Sequence, residues 1–215
     1  MTGRNYLKRW AEAQLTETNL RVILLNATAI ANDDDEAVIL NQEVLQGDGY
    51  VSQPYNYLVN STTFNSTINK IVAPDSTATF TADLSGDGYQ ITHVALWQGR
   101  GAVSQKPIVA IDASANQIVC TAHGLVDGDR AFVRGAGTLP GGLTVQRYFV
   151  NSLSADVIEL HTTAALNTPV DILNEGVGSF FLVYANGQMV DFWIYPLITL
   201  SPASEQSFTV SVQLS

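Results

Sequence analysis

The stretch that decides the fold is Thr-Ala-His-Gly-Leu-Val-Asp-Gly-Asp-Arg at positions 121–130, followed by Thr-Leu-Pro-Gly-Gly-Leu at 138–143 and Tyr-Phe-Val at 148–150. Short apolar runs, such as 117–120 and 131–133, alternate with these segments. Because glycine, proline and aspartate are the residues that turns require, the pattern predicts strand, tight turn, strand, turn and strand. This part of the chain is therefore expected to form a small β module.

Apolar and alternating segments elsewhere in the chain predict further β-strands. The expected strands are Arg21–Ala27, Ala37–Val44, Tyr55–Val59, Asn65–Val72, Ala78–Leu84, Gln90–Trp97 and Phe208–Leu214. Polar and apolar residues alternate in Thr77–Ala82 and again in the terminal segment 208–214, which is typical of a sheet with one face in a core and the other in water. The polar run 32–36 is expected to be a connecting turn.

Composition excludes several classes of protein. With 215 residues, of which 46% are hydrophobic, the chain is expected to fold into one large core or two modest cores. It contains no window of 18 apolar residues and its first ten residues are polar, so we expect neither a membrane span nor a signal peptide. Cys120 is the single cysteine, which excludes an intramolecular disulfide and a cysteine-rich zinc site.

The first 21 residues differ from the rest of the chain in pattern and in charge. Leu7, Trp10 and Leu15 recur at helical spacing, which predicts a helix over Tyr6–Thr18. The segment carries four basic and two acidic residues, whereas the whole chain carries 10 basic and 20 acidic residues and disfavours nucleic acid as a partner. The segment is either a basic arm that docks on an acidic or polar surface or a solvated helix end. The docking residues would be Arg4, Tyr6, Lys8, Arg9 and Trp10.

The histidine segment resembles a module of known type. His-Gly-Leu, two further residues and Gly-Asp, with a later Leu-Pro-Gly-Gly-Leu, are similar to a small β module that recurs in structural proteins of tailed bacteriophages. The residues that carry the resemblance are His123, Gly124, Leu125, Gly128, Asp129, Leu139 and Pro140. The resemblance implies that the His123 ring nitrogens cap the turn and that Gly124 takes a backbone conformation that a side chain would forbid.

A second, looser resemblance predicts how the module joins the rest of the chain. The segment Gly86–Trp97 resembles a strand of small β-sandwich proteins from phage particles, whose last strands normally follow soon afterwards. Here the expected continuation begins only at Asn186. We therefore expect an N-terminal helical arm at 1–19, a β-sandwich made of 20–103 and 185–215, and a small β domain at 104–184 inserted into a sandwich loop.

The inserted domain is expected to have its own core, and one short motif recurs in the sandwich. The core is expected from Ile118, Cys120, Leu125, Phe132, Val133, Leu143, Tyr148, Val150, Ile158, Leu160 and Phe181. The sequence Gly-Asp-Gly-Tyr occurs at 47–50 and at 86–89, which predicts two similar turns whose tyrosines pack on the sheet.

Catalytic and metal-binding interpretations find little in the sequence. Cys120 precedes His123 by three residues, and residues three apart in a strand point to opposite faces, so a cysteine nucleophile with a histidine base is not expected. Asp48, Asp87 and the acidic run 33–36 lack the spacing of a calcium loop. A glycosidase carboxylate pair has no local signature, so that alternative stays open. We expect no catalytic residue, no cofactor and no metal.

Together these observations predict an all-β protein with a jelly-roll-like or immunoglobulin-like sandwich, a short N-terminal helix and an inserted β domain. The resemblances imply a virion structural protein, assembled in the host cytoplasm and placed on the outer surface of the particle. We expect a capsid decoration protein that binds the major capsid protein, self-associates as a homotrimer and contacts neither nucleic acid nor membrane. The alternative is a tail or fibre component whose inserted domain binds a receptor or glycan.

Overall fold

The regular secondary structure of the described residues is almost all β-strand. A computed structural model describes residues 20–28, 36–44, 50–55, 63–65, 70–72, 76–83, 88–99, 104–210 and 213–214. The described strands pair antiparallel in several sheets, and the expected all-β fold class is confirmed. The chain divides into two compact units: unit 1 is Met1–Asn26, Gly47–Ala102 and Gly187–Ser215, and unit 2 is Ala27–Gln46 and Val103–Asn186.

The described strands of unit 1 form three antiparallel sheets. Its strands are β1 (Arg21–Leu25), β2 (Gln53–Pro54), β3 (Thr63–Asn65), β4 (Lys70–Val72), β5 (Ser76–Thr81), β6 (Tyr89–Gln98), β14 (Gln188–Leu200), β15 (Glu205–Val210) and β16 (Gln213–Leu214). The sheet orders are β14-β6-β1-β2, β15-β5 and β16-β4-β3. β1 is apolar after Arg21 and buried from Val22 to Leu25, as a strand covered on both faces requires. The finer jelly-roll-like or immunoglobulin-like topology stays a prediction.

Aromatic side chains form the centre of unit 1. Phe80 of β5 stacks on Tyr50, with ring centroids 6.0 Å apart, and meets Phe208 of β15 edge-on at 6.1 Å. Tyr50 and Tyr89, the tyrosines of the two Gly-Asp-Gly-Tyr copies, pack edge-to-face at 6.1 Å. The Leu24 amide donates to the Tyr50 hydroxyl at 3.2 Å. The repeated motif therefore supplies two rings to one core.

Unit 2 contains a seven-stranded antiparallel sheet. Its strands are β7 (Gln105–Pro107), β8 (Ala110–Asp112), β9 (Gln117–Val119), β10 (Arg130–Thr138), β11 (Tyr148–Ser152), β12 (Val157–His161) and β13 (Val177–Tyr184), in the order β7-β13-β10-β11-β12-β9-β8. The register places one set of buried side chains on a common face. These are Ile111, Ile118, Ala131, Val133, Tyr148, Val150, Ile158, Leu160, Phe180 and Leu182.

This sheet closes on itself into a barrel. Its two end strands, β7 and β8, are consecutive in sequence and separated by Ile108 and Val109 alone. The Ile108 amide donates to the Phe180 carbonyl at 2.9 Å, and the Val109 amide donates to the Val119 carbonyl at 2.8 Å. One bent segment, 105–112, therefore pairs first with β13 and then with β9. Closure at this point shortens the free sheet edges that would otherwise attract other chains.

A segment expected in the sandwich belongs instead to the barrel unit. Ala37–Val44 was predicted as a strand, but helix α1 spans Glu36–Leu40 and a turn follows it. Arg134 Nη1 donates to the carbonyls of Leu40 at 3.2 Å and Glu43 at 2.6 Å. The prediction was wrong because hydrogen bonds from a distant strand hold this segment. The boundaries predicted for the insert, 104 and 184, differ by at most two residues from those of the Val103–Asn186 part of unit 2.

Other sequence predictions differ in detail from the described residues. Asn65–Val72 is not one strand, since β3 and β4 pair with each other in the register Asn65 to Lys70. The terminal segment 208–214 is divided, because β15 pairs with β5 while β16 pairs with β4. The helix predicted at 6–18 lies outside the described residues. No helix in the described part of the chain is long and apolar enough to cross a membrane.

Candidate functional site at the histidine turn

The residues of the His-Gly-Leu and Leu-Pro-Gly-Gly-Leu motifs lie in the loops at the ends of the barrel strands. Residues 120–129 connect β9 to β10, and residues 139–147 connect β10 to β11. His123, Leu125 and Pro140 are buried, Asp129 and Leu139 are half-buried, and Gly124 and Gly128 are exposed. The motif therefore places its apolar side chains inward and its glycines outward.

His123 is held by hydrogen bonds at both ring nitrogens. Nδ1 accepts from the Leu125 amide at 3.0 Å, so Nε2 carries the proton and donates to the Ser154 carbonyl at 2.7 Å. The His123 amide donates to the Ala155 carbonyl at 3.1 Å, and the Tyr184 hydroxyl donates to the His123 carbonyl. The imidazole therefore pins the β9–β10 loop to the β11–β12 turn, which is the capping role that the resemblance implied. Because both ring nitrogens are hydrogen-bonded to backbone groups, neither is available to exchange a proton with a substrate.

Asp129 and Asn186 form the second half of the turn. Asp129 Oδ2 accepts from the Val126 amide at 2.9 Å, and Oδ1 accepts from Asn186 Nδ2 at 2.9 Å. Asn186 Oδ1 in turn accepts from the Arg130 amide at 2.7 Å. This pairing links the start of β10 to the end of β13. The sequence analysis identified Asn186 only as the start of the later continuation of the sandwich. No local pattern predicts its hydrogen bond with Asp129, which is 57 positions away.

The Leu-Pro-Gly-Gly-Leu segment makes a second tight turn. The Leu143 amide donates to the Pro140 carbonyl at 3.1 Å, and Gly142 has a φ of +88°, which side chains disfavour. A Cβ added at Gly142 would lie 2.0 Å from the Asp171 carbonyl oxygen. The Leu173 amide donates to the Gly141 carbonyl at 2.9 Å. The turn therefore holds the long 162–176 connection against the barrel.

Cys120 is not arranged as a nucleophile. It is fully buried, and burial raises the pKa of its thiol; the Asp156 charge also raises the pKa, while that of Lys106 lowers it. Lys106 Nζ donates instead to the carbonyls of Thr121 and Ala122. A buried thiol with a raised pKa is a poor nucleophile, and the His123 ring nitrogens are both hydrogen-bonded to backbone groups rather than to the thiol. Burial likewise raises the pKa of the Tyr184 hydroxyl.

The other two histidines lie in strands. In unit 1, His93 of β6 is buried, which lowers the pKa of its imidazole, and its Nδ1 lies 2.9 Å from the Thr92 hydroxyl. In unit 2, His161 of β12 is buried, and Nε2 is 3.5 Å from Glu159 Oε2, too long for a good hydrogen bond. No cluster of three histidine, cysteine or acidic side chains able to hold a metal ion occurs among the described residues.

Several sequence candidates lie outside the described residues. The proposed anchor residues Arg4, Tyr6, Lys8, Arg9 and Trp10 fall within 1–19, and Asp48, Asp87 and the run 33–35 are likewise outside. Of the expected core of the inserted domain, Ile118, Cys120, Leu125, Phe132, Val133, Leu143, Tyr148, Val150, Ile158 and Leu160 are buried, while Phe181 is only half-buried. Comparison with protein-family models, with curated proteins and with solved structures found no match.

Proposed function

We propose that this chain is a structural protein of a tailed-bacteriophage particle, and that it decorates the outside of the capsid between capsomers and stabilises the shell. Its partner is the major capsid protein. The observation that carries the proposal is that the residues of the phage-like motif serve the barrel fold. His123, Asp129 and Gly142 hold turns together through backbone contacts. Such residues define a scaffold module rather than a reactive centre.

The edge of the largest sheet in unit 1 supports self-association as a homotrimer. β14 is the end strand of that sheet and pairs with β6 alone among the described strands. Its register shifts between Ile194 and Ile198, and Pro196 lies within the shift. Ile194 and Leu197 are exposed there. A proline and a bulge prevent strand-to-strand pairing, so apolar side chains would make the contact between copies.

The basic N-terminal segment is the proposed attachment point. Arg4, Lys8, Arg9 and Trp10 combine positive charge with an aromatic ring, a composition enriched at the centres of protein interfaces. The rest of the chain is strongly acidic, so this segment is the part best suited to an acidic capsid surface.

Copy number in the particle tests the proposal. Quantitative mass spectrometry of purified particles would compare this chain with the major capsid protein. We expect hundreds of copies per particle. A handful of copies would overturn the capsid assignment in favour of a tail or fibre component, and absence from the particle would overturn both.

The attachment point is tested by adding purified chain to particles that lack it. We expect the full chain to bind and a variant without residues 2–18 to lose binding by at least tenfold, since truncating an interface hot spot typically costs about 2 kcal/mol or more. Circular dichroism of the variant should show the same β-structure. Normal decoration by the folded variant would exclude this anchor.

The tail or fibre alternative has one observation in its favour. Unit 2 exposes several apolar side chains, among them Val109, Leu173 and Val177, at 66%, 69% and 72% exposure. Val109 lines a cleft in the barrel. In sequence, Val177 lies between the lining residues Gly176 and Gly178, and Leu173 is two positions before Glu175, which also lines the cleft. A displayed module with a recognition surface is what a receptor-binding knob requires. The copy number distinguishes the two proposals.

A further inference from the structure

The barrel is closed along only part of its seam. The bent segment 105–112 pairs with β13 as far as Ile108, and there it turns away to pair with β9. β13, however, continues toward its own start at Val177. β8 and the first residues of β13 therefore diverge, and a cleft of about 340 Å³ lies between them. That volume is within the range of about 300–1,000 Å³ typical of ligand pockets.

One wall of the cleft presents backbone groups of β13. The Tyr184 amide donates to the Ser104 carbonyl and the Phe180 carbonyl accepts from the Ile108 amide, so both groups point toward the side of β7. The Ala185 amide instead donates to the Arg130 carbonyl of β10. In an antiparallel ladder, successive residues direct their backbone groups to opposite sides. By this alternation the N–H and C=O of Gly178, which lines the cleft, point away from β10 and into the seam.

The opposite wall presents backbone groups of β8. The Cys120 amide bonds to the Asp156 carbonyl at 2.8 Å, so Cys120 and Ile118 face β12. Val119 and Gln117 consequently face β8 and pair with Ala110 and Asp112. The N–H and C=O of Ile111, which also lines the cleft, then point away from β9 and into the seam. The cleft thus lies between two strand edges.

The side chains around the cleft indicate which ligand would enter. Glu175 is the one ionisable side chain among its lining residues, and it is exposed. Phe180 is the one aromatic residue of the lining and is only 7% exposed, so it offers no open ring face for a sugar. Val109, which lines the cleft, is an exposed apolar side chain, and so is Val177, which lies next to Gly178 in the chain. Two strand edges, apolar neighbours and a carboxylate match an extended peptide with alternating apolar and basic side chains.

We propose that the seam cleft binds an extended peptide segment of a protein partner, which adds as a strand between β8 and β13. The backbone of the peptide pairs with Gly178 and Ile111, its apolar side chains contact Val109 and Val177, and a lysine or arginine pairs with Glu175. The seam cleft shares no residue with the proposed N-terminal anchor, so the proposal stands whether or not the capsid assignment holds.

The test uses the isotope-labelled full chain and synthetic pentapeptides followed by NMR. The first peptide is acetyl-Val-Lys-Val-Thr-Val-amide, the second replaces Lys with Glu, and the third carries N-methyl groups on alternate backbone amides. We expect the first peptide to shift the amide signals of Gly178 and Ile111 saturably. N-methylation should weaken binding by at least tenfold, because the methylated amides no longer donate to a strand edge.

Substitutions separate the charge from the strand contacts. Glu175→Gln should weaken the lysine peptide by about two- to fivefold, the range expected of an exposed ion pair, and leave the glutamate peptide no weaker. Glu205→Gln, an exposed carboxylate in unit 1, makes the same charge change and should have no effect.

Three results would overturn the proposal. They are the absence of saturable shifts at millimolar peptide, equal binding of the N-methylated peptide, and shifts confined to residues away from the cleft. Saturable shifts of Gly178 and Ile111 by a panel of oligosaccharides, with none by the peptides, would assign the cleft to glycans instead.

Discussion

At the residue scale, glycines with positive φ show how backbone conformation selects side chains. Gly128 and Gly142 have almost the same φ, +87° and +88°, and both belong to turns of the barrel in unit 2. Their surroundings differ, since a Cβ at Gly128 would meet nothing within 4 Å whereas one at Gly142 would lie 2.0 Å from the Asp171 carbonyl oxygen. Substitutions at Gly128 therefore report the energy of a positive φ alone, whereas those at Gly142 also report the energy of the close approach to the Asp171 carbonyl.

We predict that Gly128→Ala and Gly142→Ala destabilise unit 2 by different amounts. Gly128→Ala should lower the free energy of unfolding by about 1–2 kcal/mol, the energy of a left-handed conformation for a residue with a Cβ. Gly142→Ala should lower it by about 1–3 kcal/mol more, because the barrel must also shift around the methyl group. Denaturant titration read by hydrogen exchange of unit 2 amides measures both. Equal losses would mean that the Asp171 backbone yields easily.

Buried polar groups at this scale are mostly satisfied, with two exceptions. The Tyr89 hydroxyl and both ring nitrogens of His161 have no hydrogen-bond partner among the described residues, and burial raises the pKa of Tyr89 to about 12. His123 has a partner at each nitrogen. His123 and His161 are thus both buried in unit 2, but only the ring nitrogens of His123 are hydrogen-bonded to described residues.

At the scale of elements, the main difference between prediction and structure is α1. The run Ala37–Val44 contains five apolar residues and reads equally well as a strand, since short apolar runs do not distinguish the two. Hydrogen bonds to the backbone carbonyls of this run favour the helix over a strand. Arg134 donates to those of Leu40 and Glu43, and Gln105 Nε2 donates to that of Val44 at 3.0 Å. These contacts satisfy the carbonyls that a helix leaves unpaired at its C-terminal end.

We predict that Arg134→Met loosens α1. Losing a charged donor to two carbonyls should lower the unfolding free energy of unit 2 by about 1.5–3 kcal/mol and speed hydrogen exchange at Asn41 and Glu43. Arg130→Met is the matched control. Arg130 lies 4.6 Å from the centre of the Phe149 ring, so its loss should remove about 0.5–1 kcal/mol without affecting α1. Unchanged exchange of α1 amides in Arg134→Met would contradict the role given to this arginine.

At the scale of the whole molecule, each of the two units is made of discontinuous segments that alternate along the sequence. Segment 27–46 lies between two pieces of unit 1 in sequence but belongs to unit 2. Phe132, Val183 and Gln105 are aligned on the outer face of the barrel by the register and are at most 1% exposed. Gln105 and Arg134 on that face bond to segment 27–46. Segment 27–46 therefore bonds to the face that carries Phe132 and Val183, and we expect it to cover these apolar side chains.

We predict that residues 103–186 alone form a less stable barrel than the same residues fused through a flexible linker to 27–46. The shorter protein exposes Phe132 and Val183, and exposing two buried large apolar side chains costs about 3–6 kcal/mol. It should bind the dye ANS and melt earlier, and the fusion should do neither. Equal melting temperatures would show that the barrel is self-sufficient. Replacing 104–184 by a short linker in the full chain should likewise leave the carbonyls of Leu40 and Glu43 without the Arg134 donor.

The sequence by itself determined the features that depend on neighbouring residues. Two-residue alternation predicts β5, glycine and aspartate positions predict the turns of the module, and the His-Gly-Leu motif predicts that His123 caps a loop. Tertiary structure alone decided the closure of the barrel at Ile108, the pairing of Asp129 with Asn186 and the transfer of 27–46 to unit 2. The physical reason is distance along the chain. Periodicity and turn chemistry act over a few residues, whereas these contacts join residues about 55–95 positions apart, whose hydrogen bonds exist only once the fold has formed.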